Sequence, residues 1–545
     1  MVSTKRQMPF ACNVWLPALL ALVILMPANA EAGGNFLNDP IFRPEIREDQ
    51  VTDAQVRNAI TDLDKLAQNE IDQNAVAGLA IAVVYKDKVV FAKGYGVREV
   101  GKQDKVDADT VFQLASCSKP VGSTVVAALV GDGKITWDSK ISDLDPSFEM
   151  YDPWVTREIT IRDFYAHRSG LPDHAGDLLE DLGADRTQVL NRLRFQKPDS
   201  SFRSHYAYTN FGLTEGAVAA AKACGLSWED ASEQKLYKPL GMNSTSSRYS
   251  DFCARSDRAL AHVLVNGKWV QRYNRNPDAQ SPAGGVSSSV NDMAKWMRLQ
   301  IANGKFEGKQ IIDEKALAET HHPQMLTQFN PLNNLPTFYG LGMNVQYDQH
   351  GRLRLGHSGA FAMGFATNVT MIPEEELGIV ILTNSFPVGV AEGLASHFID
   401  QTLLGRQSRD WLAVFKRLFG IPSMLGLIEV FDYSKAPASP TAALPNSAYI
   451  GTYENDFFGT IKIIEKDGAL ALVLGPKDKT TALNHYDRDT FTYETSGENQ
   501  IGLSGVTFTN GPDGKAIQVL VEHLNDCGEG TFKRVPDKTE KSSSH

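Results

Sequence analysis

Ser116 and Lys119 stand three residues apart in the stretch Phe112-Gln113-Leu114-Ala115-Ser116-Cys117-Ser118-Lys119-Pro120. A serine hydroxyl attacks a carbonyl only after a base takes its proton. A lysine is such a base only where burial or cationic neighbours lower its pKa. Pro120 is tolerated in a helix only within the first turn, so a helix must begin near Ser116. Val125, Val126, Leu129 and Val130 continue it to Gly131-Asp132-Gly133. At this spacing the two side chains share a helix face, and the positive end of the helix favours a developing alkoxide on Ser116. S-x-x-K is a weak pattern by itself. Ser232-Glu-Gln-Lys235 repeats it, within a polar helical run that reads as solvated surface.

Two further strings carry chemistry. In Tyr206-Ala207-Tyr208-Thr209-Asn210-Phe211, Tyr208 and Asn210 are spaced to point the same way from an extended or turning loop. A phenol beside an ammonium loses its proton more easily, and can accept one from serine or give one to a leaving group. Asn210 offers a donor and an acceptor to a substrate amide. Tyr453 and Asn455 repeat the spacing and read as structural. In Gly356-His357-Ser358-Gly359-Ala360, glycine at 359 would let a substrate lie against a strand edge. The amides of Ala360 and Ser116 can form an oxyanion hole, and His357 can bind a substrate carboxylate or carbonyl. His174-Ala-Gly176 has the same H-x-G spacing and reads as coincidence.

The elements that must position these residues follow from periodicity. A helix capped near Asp53 runs through Val56, Ile60, Leu63 and Leu66. Apolar runs at 78–85 and 89–95 read as one hairpin, those at 364–372 and 377–382 as another, and 390–404 as a closing helix. Hairpins enclosing a mostly helical insert imply an α+β layout, one antiparallel sheet with helices on its faces. Residues 406–445 form a bridging segment and a Pro/Ala/Ser linker. Beyond it, short strands at 449–453, 459–465, 469–474, 491–495, 506–510 and 517–524 predict a small antiparallel β-barrel over 446–536, before a disordered tail at 537–545.

The amino-terminal residues read as a leader. Lys5 and Arg6 precede an apolar run from Val14 to Met26 and the small-residue site Ala28-Asn29-Ala30. That order predicts a signal peptide over 1–30, an extended arm over 31–50, and a periplasmic or secreted mature chain with no firm membrane anchor. Cys117, Cys224, Cys253 and Cys527 then allow three full pairings, among which sequence does not choose. A formal net charge of -11 disfavours nucleic acid and anionic lipid as partners.

S-x-x-K, then Y-x-N, then H-x-G, in this order, resembles the layout of penicillin-binding proteins and serine β-lactamases. Above all it resembles class C β-lactamases and their relatives, the family VIII carboxylesterases, D-aminopeptidases and D,D-carboxypeptidases. Supporting strings are Ile161-Arg162-Asp163, His167-Arg168-Ser169-Gly170-Leu171-Pro172, Pro239-Leu240-Gly241-Met242, Ser281-Pro282-Ala283-Gly284-Gly285-Val286 and Tyr339-Gly340-Leu341-Gly342. The likeness covers about residues 55–405. It implies a β-lactamase/transpeptidase-like sheet flanked by helices, with a helical subdomain, over 51–405. It implies Ser116 as nucleophile, Lys119 and Tyr208 as the proton-handling pair, and Asn210 as substrate positioner, with the amides of Ser116 and Ala360 holding the oxyanion. The carboxy-terminal barrel resembles the lipocalin-like domain of some members.

The resemblance implies a serine acyl hydrolase acting on a small ester or a D-amino acid peptide, peptidoglycan fragments among its partners, with no metal or organic cofactor. It admits a class C-type β-lactamase and a non-catalytic penicillin-binding sensor as alternatives. Class C β-lactamases carry a lysine where this chain has His357, and a mostly neutral histidine draws a β-lactam carboxylate less strongly. The rival serine-enzyme string G-x-S-x-G and the zinc string H-E-x-x-H do not occur in the sequence.

Overall fold

The computed structural model describes residues 50–330, 332–420, 431–435 and 437–536. The leader read at 1–30, all but the last residue of the arm, and the tail at 537–545 lie outside the described residues. Helix α1 (Asp53–Asp72) leads into strands β1 (Gly78–Tyr85) and β2 (Lys88–Gly96). Its cap is Thr52, not Asp53: the Thr52 hydroxyl accepts the Gln55 amide, while Asp53 is helical and pairs with Lys86 at 2.8 Å. A hydroxyl one residue earlier reaches the amide of the third helical residue, which the Asp53 carboxylate, already inside the helix, does not.

Helix α2 (Ser118–Gly131) begins the helical region, which continues through α3 (Asp177–Asp181), α4 (Asn210–Ala223) and α5 (Val290–Ile301). Six strands then complete the sheet: β3 (Met325–Phe329), β4 (Pro336–Tyr339), β5 (Asn344–Tyr347), β6 (Leu353–Phe361), β7 (Phe365–Ile372) and β8 (Leu377–Thr383). The order is β2-β1-β8-β7-β6-β5-β4-β3, antiparallel throughout. Helices α6 (Val390–Leu404) and α7 (Trp411–Phe419) follow.

The central strands β1, β7 and β8 are buried along their whole length, which explains their unbroken apolar sequences. Leu79, Ile81 and Val83 face α1 and α6, where Leu63, Leu394 and Phe398 meet them. Ala80, Ala82 and Val84 face the core of the helical region with Val125 and Met297. Each fully buried Leu, Ile or Phe contributes about 1.5–3 kcal/mol to holding these layers together. The β-lactamase/transpeptidase-like sheet flanked by helices is therefore present.

Nine strands form the carboxy-terminal sheet: β9 (Gly451–Asn455), β10 (Gly459–Lys466), β11 (Ala469–Leu474), β12 (Lys479–Ala482), β13 (Asn484–Asp487), β14 (Thr490–Glu494), β15 (Leu503–Asn510), β16 (Ala516–Val521) and β17 (Thr531–Arg534). Their order, β12-β11-β10-β9-β17-β16-β15-β14-β13, puts β12 and β13 at opposite edges. Yet Leu483 alone separates those two strands in the chain. The sheet must therefore roll until its edges nearly meet, giving an almost closed barrel. Cys117, Cys224, Cys253 and Cys527 are all free. Among the described residues no helix is long and apolar enough to cross a membrane.

Candidate active site

Ser116 occupies a single 3-10 turn, Ala115–Cys117, at the mouth of α2. Ala115 before it has a φ of 47°, a left-handed conformation that costs a residue with a Cβ about 1–2 kcal/mol. Leu114 anchors the strained turn. Its amide donates to Val286 O at 2.8 Å, and its carbonyl accepts from the Cys117 amide at 3.1 Å and Thr367 Oγ1 at 2.7 Å. The neighbouring Cys117 thiol donates to His357 O at 3.1 Å, and burial pushes its pKa up to about 12. Cys117 is thus held as a thiol, with its proton turned towards β6.

Lys119 is fully buried, and its Nζ has three oxygen neighbours: Ser116 Oγ at 3.1 Å, Asn210 Oδ1 at 2.7 Å and Ala283 O at 3.0 Å. Burial lowers its pKa to about 7, against the opposing pull of Asp177. A neutral amine has two hydrogens and one lone pair. The hydrogens satisfy Asn210 and Ala283, which leaves the lone pair for the Ser116 proton. The Tyr208 hydroxyl donates to Ser116 Oγ at 2.8 Å, and Nζ lies 4.4 Å from its ring centroid. Burial raises the Tyr208 pKa well above the usual phenol range. The expectation that the neighbouring ammonium eases its ionisation is corrected here, since desolvation of the phenolate dominates. Tyr208 is a proton donor in this arrangement.

Asn210 opens α4 rather than sitting in a loop. Its Oδ1 accepts from Lys119, and its Nδ2 donates to Asp177 Oδ2 at 2.8 Å. The amide thus links Lys119 to Asp177, and with two donors and two lone pairs it keeps capacity for a substrate amide. Asp177 Oδ2 also lies 2.8 Å from His174 Nδ1. The H-x-G string at His174 therefore belongs to the site's surroundings. Asp177 and Ala283 carry no motif signature of their own. Ser281-Pro282-Ala283 marks the place, but a backbone carbonyl leaves no trace in residue type.

His357 is buried with both ring nitrogens occupied. Tyr339 Oη sits 2.9 Å from Nε2, and Nδ1 sits 2.5 Å from the Ser358 carbonyl. Burial, with the nearby Lys119 charge, lowers its pKa to about 3. The expectation that His357 binds a substrate carboxylate is corrected: the imidazole is neutral and its hydrogen-bonding capacity is spent inside the protein. His167 lies between Tyr208 and Tyr339, with ring centroids 4.6 and 4.8 Å away. These rings form an aromatic wall behind the phenol.

Gly359 lies against the nucleophile turn. A Cβ there would lie 2.3 Å from Leu114 O and 3.0 Å from Cys117 N, so only glycine lets β6 pack on that turn. Over Leu355–Phe361 β6 pairs with β7, but with β5 it pairs only as far as Gly356. Among the described residues no strand pairs with the second edge from His357 to Phe361, and Ala360 on it is exposed. Free strand amides beside Ser116 suit a developing oxyanion. The structure thus brings Ser116, Lys119, Tyr208, Asn210, His357, Gly359 and Ala360 together where the start of α2 meets the end of β6. The other S-x-x-K copy is inert: Ser232 is buried rather than solvated, its hydroxyl on Trp228 O, and Lys235 pairs with Asp132 at 2.6 Å. Tyr453 bonds Tyr449 O, and Asn455 bonds Glu529 O and Thr531 O, within the barrel.

The phenol's task yields a prediction. Tyr208→Phe keeps the aromatic wall but removes the donor, and should lower kcat for an amide substrate about 10²-fold. For a p-nitrophenyl ester, whose leaving group departs without a proton, the loss should be several-fold smaller. Steady-state kinetics on both substrates check this, and equal losses would contradict it.

Comparison with known proteins places this site in context. The model of the beta-lactamase family matches residues 63–404, and that of a domain of unknown function (DUF3471) matches residues 435–529. An unguisins hydrolase of Aspergillus campestris is 24% identical over 480 residues, 84% of this chain and 88% of its own. Penicillin-binding protein 4 of Amycolatopsis lactamdurans is 25% identical over 390 residues, 70% of this chain and 94% of its own. Among solved structures, the octameric penicillin-binding protein homologue from Pyrococcus abyssi shares the fold at a TM-score of 0.56 and 17% identity, covering 87% of this chain and 99% of that one.

Proposed function

The chain belongs to the beta-lactamase family and has its serine-hydrolase fold, and from that premise we propose that it cleaves an ester or amide, a small ester or a D-amino acid peptide, through an acyl-enzyme on Ser116. The observation that carries this reading is the placement of Ser116 Oγ between a buried amine at 3.1 Å and a phenol at 2.8 Å. Lys119 takes the serine proton as Oγ adds to the carbonyl carbon. The amides of Ser116 and Ala360 hold the resulting oxyanion. As the tetrahedral adduct collapses, Tyr208 gives its proton to the leaving group and is replenished from the Lys119 ammonium beside its ring. Water then attacks the acyl carbonyl with the same groups working in reverse, which frees the acid and restores Ser116.

The neutral, fully bonded His357 supports an ester or amide lacking a carboxylate at that position, over a β-lactam that relies on a cation there. A panel of a p-nitrophenyl ester, a D-alanyl anilide and a chromogenic cephalosporin, assayed on the purified chain, tests this. The ester or the anilide should exceed the cephalosporin in kcat/KM by at least about 10²-fold, the scale set by one lost charged contact. A preferred cephalosporin would make the chain a β-lactamase. A fluorescent penicillin retained without any turnover would make it a sensor.

A further inference from the structure

The loop between β14 and β15 reaches out of the barrel and onto the β6–β7 turn and α3. Glu498 on this loop is 13% exposed, and its carboxylate accepts the amides of Ala362 at 2.6 Å and Met363 at 3.4 Å, in the turn joining β6 to β7. The buried Arg275 lies 3.8 Å from the same carboxylate and 2.8 Å from Glu180 of α3, with its guanidinium 4.7 Å above the ring of Phe361, the last residue of β6. Asp181, also on α3, accepts the backbone amides of Glu498 and Asn499, each at 2.9 Å, and the Asn499 side chain at 2.8 Å. Gly497 has a φ of 123°, and a Cβ there would lie 2.5 Å from the Asp181 carboxyl carbon. A side chain at 497 would therefore both strain the backbone and strike the anchor.

We propose that the barrel completes the active site: through Glu498 it fixes the β6–β7 turn, and with it the Ala360 amide two residues back, while Asp181 ties the same loop to the helix that carries Asp177. This rests on the acyl-enzyme reading of Ser116. Two arguments favour a positioning role over simple domain packing. An exposed hairpin tip is satisfied by water, whereas sinking a carboxylate into a domain contact is unfavourable unless its partners repay the desolvation. Burial does raise the Glu498 pKa to about 7. Further, both tethered elements lead directly to site residues: β6 to Ala360, and α3 through Asp177 and Asn210 to Lys119. Glu498 is a positioning residue acting through the strand end; it touches none of the reacting atoms.

The test uses the full chain with Glu498→Ala, Glu498→Gln and Gly497→Ala, measured in two ways. Ester kinetics should show kcat reduced at least about tenfold in Glu498→Ala and Gly497→Ala, with KM within about twofold, because a shifted oxyanion donor weakens the transition state more than the bound substrate. Glu498→Gln keeps one acceptor and should recover much of the loss. Hydrogen exchange of residues 360–363 should quicken by about tenfold in Glu498→Ala and leave the barrel strands unchanged. Unchanged exchange there, or an unchanged kcat in a folded Glu498→Ala, overturns the proposal. If the wild-type chain shows no Ser116-dependent turnover, the reaction assignment falls, and the exchange measurement still decides whether the barrel holds the turn. Should Glu498→Ala fail to fold, Gly497→Ala with Glu498→Gln carries the comparison.

Discussion

Ser116→Ala is expected to lower kcat/KM for the preferred ester by at least about 10⁴-fold, since removing a nucleophile leaves only the contribution of binding and the oxyanion site. The fold should hardly notice. Ser116 is only partly buried, and its hydroxyl is bonded to Lys119 and Tyr208. Lys119 keeps Asn210 and Ala283 in the variant. The melting temperature should therefore stay within about 2 °C of wild type. Cys117 is no substitute nucleophile, because its thiol is bonded to the His357 carbonyl and its pKa is raised to about 12. Residual turnover above about one per cent of wild type would mean that another group attacks the substrate.

Lys119→Met should lower kcat by about 10³-fold, within the range assigned to a positioned general base. The methionine keeps most of the buried stem and removes the amine. Its pH signature separates a base from a packing residue. Burial lowers the lysine from its ordinary value of 10.5 to about 7. Activity requires the neutral amine, so kcat/KM in the wild-type chain should rise with pH to a half-point near 7 and then level off. The variant should lack that limb. The linkage to stability has a definite sign. Between pH 7 and 10.5 the unfolded chain binds a proton at this lysine that the folded chain does not, so the cost of burying it shrinks and stability rises as pH goes up through that window. Lys119→Met should lose this slope as well as the activity limb. A variant that retains the limb at the same pH would show that another group is the base.

What the sequence makes legible follows from the range of the interactions. Ser116 and Lys119 are one helical turn apart, and Pro120 marks the helix start, so local geometry alone predicts that they meet. The central strands are visible because burial on both faces leaves long apolar runs. Strands β3, β4 and β5 pass unnoticed: they are four or five residues long and partly exposed, too short for an apolar pattern to stand out. In the barrel, β12 and β13 are four residues each and mostly polar, which hides them in the same way. The environment of the lysine is less legible still. Ala283 acts through a carbonyl, and Asp177 through an asparagine 33 residues further on. Tyr208 meets the serine hydroxyl and His357 lies beside the nucleophile turn, but their protonation states depend on burial that composition does not report. The contact of Glu498 with Ala362 spans 136 residues and two sheets, and nothing near either residue signals it.

The central claim is an ester bond between the substrate's acyl group and Ser116 Oγ. It is tested most directly by acid-quenching the purified chain within the first turnovers of the p-nitrophenyl ester, digesting it, and measuring peptide masses. The peptide bearing Ser116 should gain the mass of the acyl group less one hydrogen, with the modification fragmenting at Ser116 and missing from Ser116→Ala. An unmodified Ser116 peptide during active turnover, or an acyl group on a different residue, would contradict the account.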